Sequence, residues 1–271
     1  MTTTTSPVTK TNAPLPIPFD APLANPSPIG LYAVTAWTDE TGPPRWLMSG
    51  VQVRRFNCGL DDAFGVWPHG WCDDPGDDIK TGVRPDDPDP FNPVTVWAFD
   101  ECDLTEASRN EVDTRVQQII RLRESFAVEA VFGSTLTSRT TPEETGNVAE
   151  AVAWLDTELA KTGLVGYVHA APWVATLAQE YQLIVRSGGT MKTPLGNIWV
   201  FGAGYTDSLG EMIVATTQPY GWRDQVVVRP TMDLPVNTYA AVAERSVVMG
   251  VECVIAAAQV PQAGLQEEID A

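Results

Sequence analysis

The sequence predicts an α+β fold in which the first and last strands share one sheet and an α/β lobe is inserted between them. Three observations lead to this. Residues 105–132 hold no proline or glycine and repeat apolar side chains at helical spacing, so one long helix lies mid-chain. Residues 59–93 are crowded with Asp, Pro and Gly, so a long irregular segment separates the first strands from that helix. Beyond it, helical and strand character alternate through residues 143–229, before a last apolar run at 238–258.

From the N-terminus, residues 1–28 carry Pro7, Pro14, Pro16, Pro18, Pro22, Pro26 and Pro28 among many threonines. Proline fixes φ and removes an amide donor, so this stretch builds neither helix nor central strand and reads as an extended arm. Two anchors suit it equally, a neighbouring subunit or its own domain. Residues 31–37 (LYAVTAW) and 46–57 (WLMSGVQVRRFN) read as strands. The acidic, proline-rich stretch after Gly59 is longer than an internal loop of a compact domain and is expected to project. Residues 94–99 (VTVWAF) resume as a strand.

Asp103 and Glu106 have the spacing of a capping box, and Gly133 sits where a C-terminal cap belongs. The intervening helix would be about 42 Å long at 1.5 Å per residue, a spine for a sheet. Residues 143–161 read as a helix closed by Gly163, 164–169 as a strand, and Pro172 as the first turn of a helix running to Ile184. Strands follow at 197–201, 211–217 and 225–229. Within 238–258 the start (YAAVAER) has helical character, and the end reads as a long strand with Gly250 as a bulge. The last ten residues are polar and expected to fray.

Composition limits the function. The formal charge is −18, and residues 61–113 hold 15 Asp and Glu against Lys80, Arg84 and Arg109. No Lys/Arg cluster offers a footprint for phosphates, which argues against tight nucleic-acid binding. No apolar run reaches the ~18 residues of a membrane span, and the Thr-rich start lacks a secretory signal, so a cytosolic origin is expected. Cys58, Cys72, Cys102 and Cys253 are too sparse for a disulfide scaffold and are expected as reduced, mostly buried thiols.

Catalytic chemistry finds little support. The two histidines are His69 and His169; His169 stands at a strand end with no G-x-S-x-G elbow in the chain, which suits a structural role. Cys58, His69, Cys72 and Cys102 include metal-ligating types, but lack the close paired spacing of a zinc site. Asp73-Asp74 and Asp77-Asp78 do not match a Ca²⁺ loop and read as a solvated acidic loop. Gly202-Ala203-Gly204 lacks the third glycine of a dinucleotide fingerprint and reads as a turn using glycine for backbone freedom. No catalytic residue, metal site or cofactor is expected. Trp67 and Trp71, by contrast, lie in the projecting segment with little core nearby. They either fold that loop onto itself or dock on a neighbouring subunit.

This order of parts resembles the tailed-bacteriophage major capsid proteins of the Hong Kong 97-like fold, which encapsulins share. Residues 164–177 (LVGYVHAAPWVATL) are similar to the axial-lobe strand and helix, 193–205 (TPLGNIWVFGAGY) to the strand that follows, 210–229 to the ensuing hairpin and 239–258 to the closing peripheral strand. The resemblance covers about residues 90–260, in order more than in residue identity. It implies an N-terminal arm (1–30), an extended loop with the first peripheral strands (31–102), a spine helix of the peripheral domain (103–135), an axial domain (136–235) and a closing peripheral strand with C-terminal tail (236–271).

The implied function is a structural shell protein, not an enzyme. It would form pentamers and hexamers of an icosahedral capsid enclosing double-stranded DNA without sequence-specific binding. Scaffolding, portal or decoration proteins are the implied partners, with no membrane, and the virion assembled in a bacterial cytoplasm is the implied location. An acidic lining that does not hold the polymer is compatible with that role. Some members cross-link through a lysine of the extended loop; Lys80 is the only lysine there and its setting is acidic and proline-rich, so cross-linking is not carried over. The chain is short for a fused scaffolding segment, so scaffolding would come from a separate gene or be absent. The alternatives are an encapsulin-type compartment, a minor capsid or tail component, and a soluble hydrolase using His169 or a Cys–His metal site.

Overall fold

The computed structural model describes residues 17, 19–42 and 46–261. The expected arm over 1–16 and the C-terminal tail over 262–271 lie outside the described residues. In chain order the elements are α1 (Leu31–Val34), β1 (Ala36–Asp39), β2 (Val94–Asp103), α2 (Glu106–Ser138), β3 (Glu143–Glu144), α3 (Val148–Thr162), β4 (Tyr167–Ala170), α4 (Pro172–Glu180), β5 (Val185–Ser187), β6 (Thr190–Lys192), β7 (Ile198–Phe201), α5 (Tyr205–Ser208), β8 (Met212–Thr216), β9 (Pro219–Arg223), β10 (Val227–Asp233), β11 (Thr238–Val251) and β12 (Val254–Gln259).

Two sheets result. In the five-stranded one, β11 is the centre: β10 and β9 pair along one edge, β2 pairs along the other, and β1 lies parallel to β9. The seven-stranded one runs β3-β12-β8-β4-β7-β6-β5. β1 and β2 share the five-stranded sheet with β11, with the α/β lobe inserted between them, but the expected sharing of one sheet by the first and last strands ends at Val251: the last strand, β12, belongs to the seven-stranded sheet.

The sequence reading of the first strands needs correction. Residues 31–34 form a single helical turn, because Gly30 turns the chain at φ 111° and the Leu31 amide is captured by Glu129 at 2.9 Å. The strand begins only at Ala36. Residues 46–57 are not a strand either. Trp46–Ser49 make a 3-10 turn and Val51 makes one bridge to Phe91, while Glu252 accepts from the amides of Phe56 and Asn57 that a ladder would need. The segment 59–93 is irregular apart from a 3-10 turn at Asp61–Ala63 and the bridge at Phe91.

The spine helix is longer than expected and capped differently. Its N-cap is Thr105, whose hydroxyl accepts from the Ser108 amide, while Asp103 accepts from the Thr105 amide. The helix runs through Gly133 to Ser138, about 50 Å. Gly133 is a contact and not a cap: an added Cβ would lie 3.0 Å from Tyr205 Cδ1 and meet the Ser208 hydroxyl. Its buried positions Val112, Val116, Ile120, Glu124, Val128, Phe132 and Leu136 repeat every four residues. Four residues of a 3.6-residue turn over-rotate by about 40°, so the stripe winds around the helix. Its first part therefore faces β2 and β11, and its last part faces α5 of the inserted lobe. One helix serves both lobes because its apolar period is four.

The inserted lobe follows the predicted order with shifted ends. α3 starts at Val148, not at Glu143, because Asn147 caps it: its carboxamide oxygen accepts from the Glu150 amide at 3.0 Å and Glu150 accepts in return from the Gly146 amide at 2.8 Å. Gly163 closes it in the left-handed region, and α4 ends at Glu180. The core between α3, α4 and the seven-stranded sheet is built from Val148, Leu155, Val168, Val174, Trp199 and Ile213.

Residues 210–229 are not one hairpin. β8 belongs to the seven-stranded sheet and β9 to the five-stranded sheet, with the crossing at Thr217 and Gln218. The helical character of YAAVAER is overridden as well. Tyr239, Ala241 and Ala243 alternate into the core while the strand pairs on both edges, and burial in a doubly paired strand outweighs alanine's helix propensity. Gly250 is no bulge: it stays in register with Tyr220 and leaves room for Phe91, whose Cδ2 would be 2.9 Å from an added Cβ. The irregularity falls between Val254 and Ala256, after the chain crosses back to the seven-stranded sheet. The two crossings lie side by side: the Thr217 hydroxyl accepts from the amides of Glu252 and Cys253 at 3.1 Å each, and the Thr217 amide donates to the Cys253 carbonyl.

Candidate assembly surfaces

Of the residues that suggested chemistry, His169, Cys58, Cys253 and the G-x-G fragment are engaged in holding the fold. His169 is fully buried on β4, with Tyr205 Oη 2.9 Å from Nδ1 and Thr216 Oγ1 2.9 Å from Nε2. The single Thr216 hydroxyl proton goes to the Thr217 carbonyl at 2.8 Å, so that oxygen accepts from Nε2–H and Nδ1 accepts from Tyr205. Both ring nitrogens are thus committed, and neither is open to activate a nucleophile or bind a metal. Phe132 and Tyr205 meet the ring edge-on.

Burial pulls the His169 pKa from near 6.5 down to about 3, so the ring stays neutral in the folded chain. Above pH 6.5 folded and unfolded states carry the same charge here. Below it the unfolded state gains a proton that the folded state does not take until about pH 3, so stability falls with falling pH in that window. Between pH 7 and pH 5 we expect the wild-type chain to lose about 2 kcal/mol more than His169→Gln. Urea unfolding of both at the two pH values checks this.

The cysteines correct the sequence reading. Cys58 and Cys253 are disulfide-bonded, with Cα atoms 6.4 Å apart, and Cys72 and Cys102 are exposed thiols. The four-residue metal set is thereby broken up, and among the described residues no group of three or more His, Cys, Asp and Glu is arranged to hold a metal ion. His69 turns to Asp78 at 2.6 Å and to the Trp67 ring. Asp73 accepts from the Gly70 amide and Asp74 from the Gly76 amide, so the acidic run folds its own turns. Lys80 lies over the Trp67 ring, 4.6 Å from its centroid.

The G-x-G fragment is used for close approach and not for backbone freedom, since Gly204 has an ordinary φ of −69°. A Cβ there would lie 2.6 Å from the Ala130 amide nitrogen and 2.7 Å from Glu129 Cβ, and nearer still to the Phe126 carbonyl. The turn presses on α2 so that Gly204 N–H reaches Glu129 at 3.1 Å. Burial raises the Glu129 carboxyl pKa, against the amides of Leu31, Gly204 and Ala203 that favour its charged form. Glu129 therefore joins the entry segment, the spine helix and the inserted lobe.

What remains unpartnered is apolar and projecting. In the extended loop Phe64 is 81%, Val66 87% and Trp71 fully exposed. Trp67 is 37% exposed and is contacted by its neighbours His69 and Lys80, so the self-folding explanation suits Trp67 better than Trp71. Ile17, Phe19 and Leu23 of the N-terminal segment are exposed as well. That segment lies along α2, where Gln118 donates to the Ala24 carbonyl at 2.8 Å and Arg121 reaches Asn25. Its described part is thus pinned on its own domain.

Two exposed surfaces escaped the sequence reading. One is the tip of the β10–β11 hairpin, with Met232, Leu234 and Val236. The other is the outer face of the five-stranded sheet, with Trp97 and Phe99. The signal for the first was the Pro-rich turn Leu234–Val236 between two strand runs. For the second it was the alternation of VTVWAF, which puts Trp97 and Phe99 opposite buried Val96 and Ala98.

No protein-family model matches the chain and no curated protein matches it in sequence. Solved structures do match in fold. The capsid of an empty GTA particle superposes with a TM-score of 0.55 at 12% identity, covering 92% of this chain and 94% of that one. The capsid of the native GTA particle gives 0.54 at 11%, covering 93% and 95%. The mature capsid of bacteriophage PhiM1 gives 0.50 at 9%, covering 92% and 91%. The chain therefore has the fold of capsid shell proteins. More particularly, it is the Hong Kong 97-like capsid fold, an α+β architecture.

Proposed function

We propose that the chain is a structural shell protein that assembles with copies of itself into a capsid and carries no enzymatic activity of its own. The observation that carries this reading is the near full-length match in fold to the GTA particle capsids. In support, exposed apolar side chains concentrate in the N-terminal segment, the extended loop and the β10–β11 tip, where a neighbouring copy would bury them. Neighbouring copies that meet over these elements would bury on the order of 1,000 Å² or more per interface.

Within this reading residues 1–30 serve as arm, 31–102 as extended loop with first peripheral strands, 103–135 as spine, 136–235 as axial domain and 236–271 as closing strand with tail. Copies associate as pentamers and hexamers around the axial domain, and the shell encloses double-stranded DNA. The net charge of −18 suits a container that does not grip its polymer. The finished shell is the virion capsid, assembled in the host cytoplasm. Among the described residues no helix is long and apolar enough to cross a membrane.

Sedimentation of the protein expressed alone, and with its neighbouring genes to supply any scaffolding, followed by negative-stain electron microscopy, tests the reading. Closed particles tens of nanometres across, or five- and six-fold rings, are expected. A small uniform oligomer under both conditions would overturn it.

A further inference from the structure

The disulfide occupies a distinctive place in the fold. Cys58 begins the extended loop, and Cys253 sits where the chain crosses from β11 to β12. Next to that crossing, bound through Thr217, is the other crossing between the sheets, from β8 to β9. The bond thus ties the root of the loop to the two direct strand-to-strand passages between the sheets. A second fastener lies beside it: Glu252 accepts from the amides of Phe56 and Asn57 and from the Asn57 carboxamide at 2.8 Å. The carboxylate can hold the loop root in register whether or not the sulfurs are joined. Between the root and α3 is a cleft of about 700 Å³ lined by Leu60, Phe64, Lys161 and Ile255, so the loop beyond the root is propped over the lobe and not packed into it. Both sulfurs belong to buried residues, 3% and 6% exposed, while Cys72 and Cys102 are exposed.

We propose that Cys58 and Cys253 form a redox-operated latch that fastens the root of the extended loop to the paired crossings between the sheets. In the reduced chain Glu252 alone holds the root, which opens and closes. Oxidation locks it. The oxidant is a small-molecule disulfide such as oxidised glutathione. One cysteine thiolate attacks a sulfur of it, giving a mixed disulfide and releasing one glutathione thiolate. The second cysteine thiolate then attacks the protein sulfur of the mixed disulfide, forming Cys58–Cys253 and releasing the second glutathione thiolate. The protein loses two protons and two electrons, and the oxidant becomes two thiols. Closing brings the pair into buried positions, so reductants reach it only when the root opens. The latch concerns the single chain and is independent of whether copies form a shell.

Hydrogen exchange read by mass spectrometry on the full-length chain tests this, in a Cys72→Ser/Cys102→Ser background that prevents scrambling. The reduced protein is compared with protein treated with oxidised glutathione, and non-reducing peptide mapping verifies the 58–253 linkage. We expect exchange over residues 54–60 to slow tenfold or more on oxidation while α2 and β11 stay unchanged. Glu252→Gln should speed exchange at the root in the reduced chain and have little effect in the oxidised one. Failure of the pair to oxidise, or equal exchange at the root in both forms, would overturn the latch. So would loss of protection throughout the core on reduction, because the bond would then be a requirement of folding.

Discussion

Replacing Glu124 by alanine should lower the unfolding free energy by about 3 kcal/mol, read from urea denaturation. Glu124 is 4% exposed and sits in the winding stripe of α2, where every other member is hydrophobic. It accepts from Arg245 Nε and from Arg245 Nη2, both at 2.6 Å, and from the Tyr32 hydroxyl at 2.7 Å. Burial and the nearby Glu124 carboxylate push the Tyr32 pKa well up, so that hydroxyl remains a donor. Alanine would strand the guanidinium and the phenol together beside the cleft of about 530 Å³ under the N-terminal segment.

The cost comes from the orphaned partners and not from the strength of the pair. Glu124→Leu combined with Arg245→Met should therefore recover most of the loss, and Tyr32→Phe alone should cost about 1 kcal/mol. A double variant as unstable as Glu124→Ala would show that packing, and not the stranded charge, sets the penalty.

Gly204→Ala should destabilise the chain by about 3 kcal/mol, the upper end for overpacking. The methyl group would be driven into the main chain of α2 at Phe126 and Ala130, which cannot rotate away as a side chain can. Retreat of the turn would also pull the Gly204 amide off Glu129, leaving a desolvated carboxylate with one fewer donor. Ala203, the exposed middle residue of the same fragment, is the control: Ala203→Ser should change stability by no more than about 0.5 kcal/mol. A loop built to cradle phosphate would show no such dependence on Gly204, because its glycine would face outward. Thermal unfolding of the two variants side by side separates these outcomes.

Much of the architecture was legible because it follows from local physics. A stretch of 28 residues without proline or glycine and with a repeating apolar stripe has only a helix open to it. The Asp-, Pro- and Gly-rich stretch 59–93 cannot satisfy a ladder, and it stays irregular. Val168 and its neighbours, followed by Pro172, make a buried strand and a helix start by chain stiffness alone.

The largest departures from the expected elements have a long-range cause. In the first strands and in β11, partners outside the segment captured the groups that local preference would have used otherwise, whereas the shifted helix starts follow from local caps at Thr105 and Asn147. Glu129 takes the Leu31 amide from 98 residues away, so a β-rich segment begins as a helical turn. Glu252 takes the amides of Phe56 and Asn57 from 196 and 195 residues away, so a strand is lost. Tyr239 to Ala243, good helix formers among them, lie between β2 and β10 and become the centre of a sheet.

The candidate surfaces divide in the same way. That the extended loop would project with its tryptophans was readable from composition. That Trp67 gains partners within the loop and Trp71 does not depended on where His69 and Lys80 came to rest.

By itself, then, the sequence determined the order of parts, the spine helix and the projecting acidic loop, because propensity, proline placement and apolar period act within a few turns of chain. Only the tertiary structure decided that Cys58 meets Cys253, that Glu124 and Glu129 are buried hubs, that the last strand leaves the five-stranded sheet, and that the direct crossings from β8 to β9 and from β11 to β12 lie side by side at Thr217 and Cys253. Those pairings join residues far apart in the chain, and their free energy comes from contacts that exist only once both sheets have formed around α2.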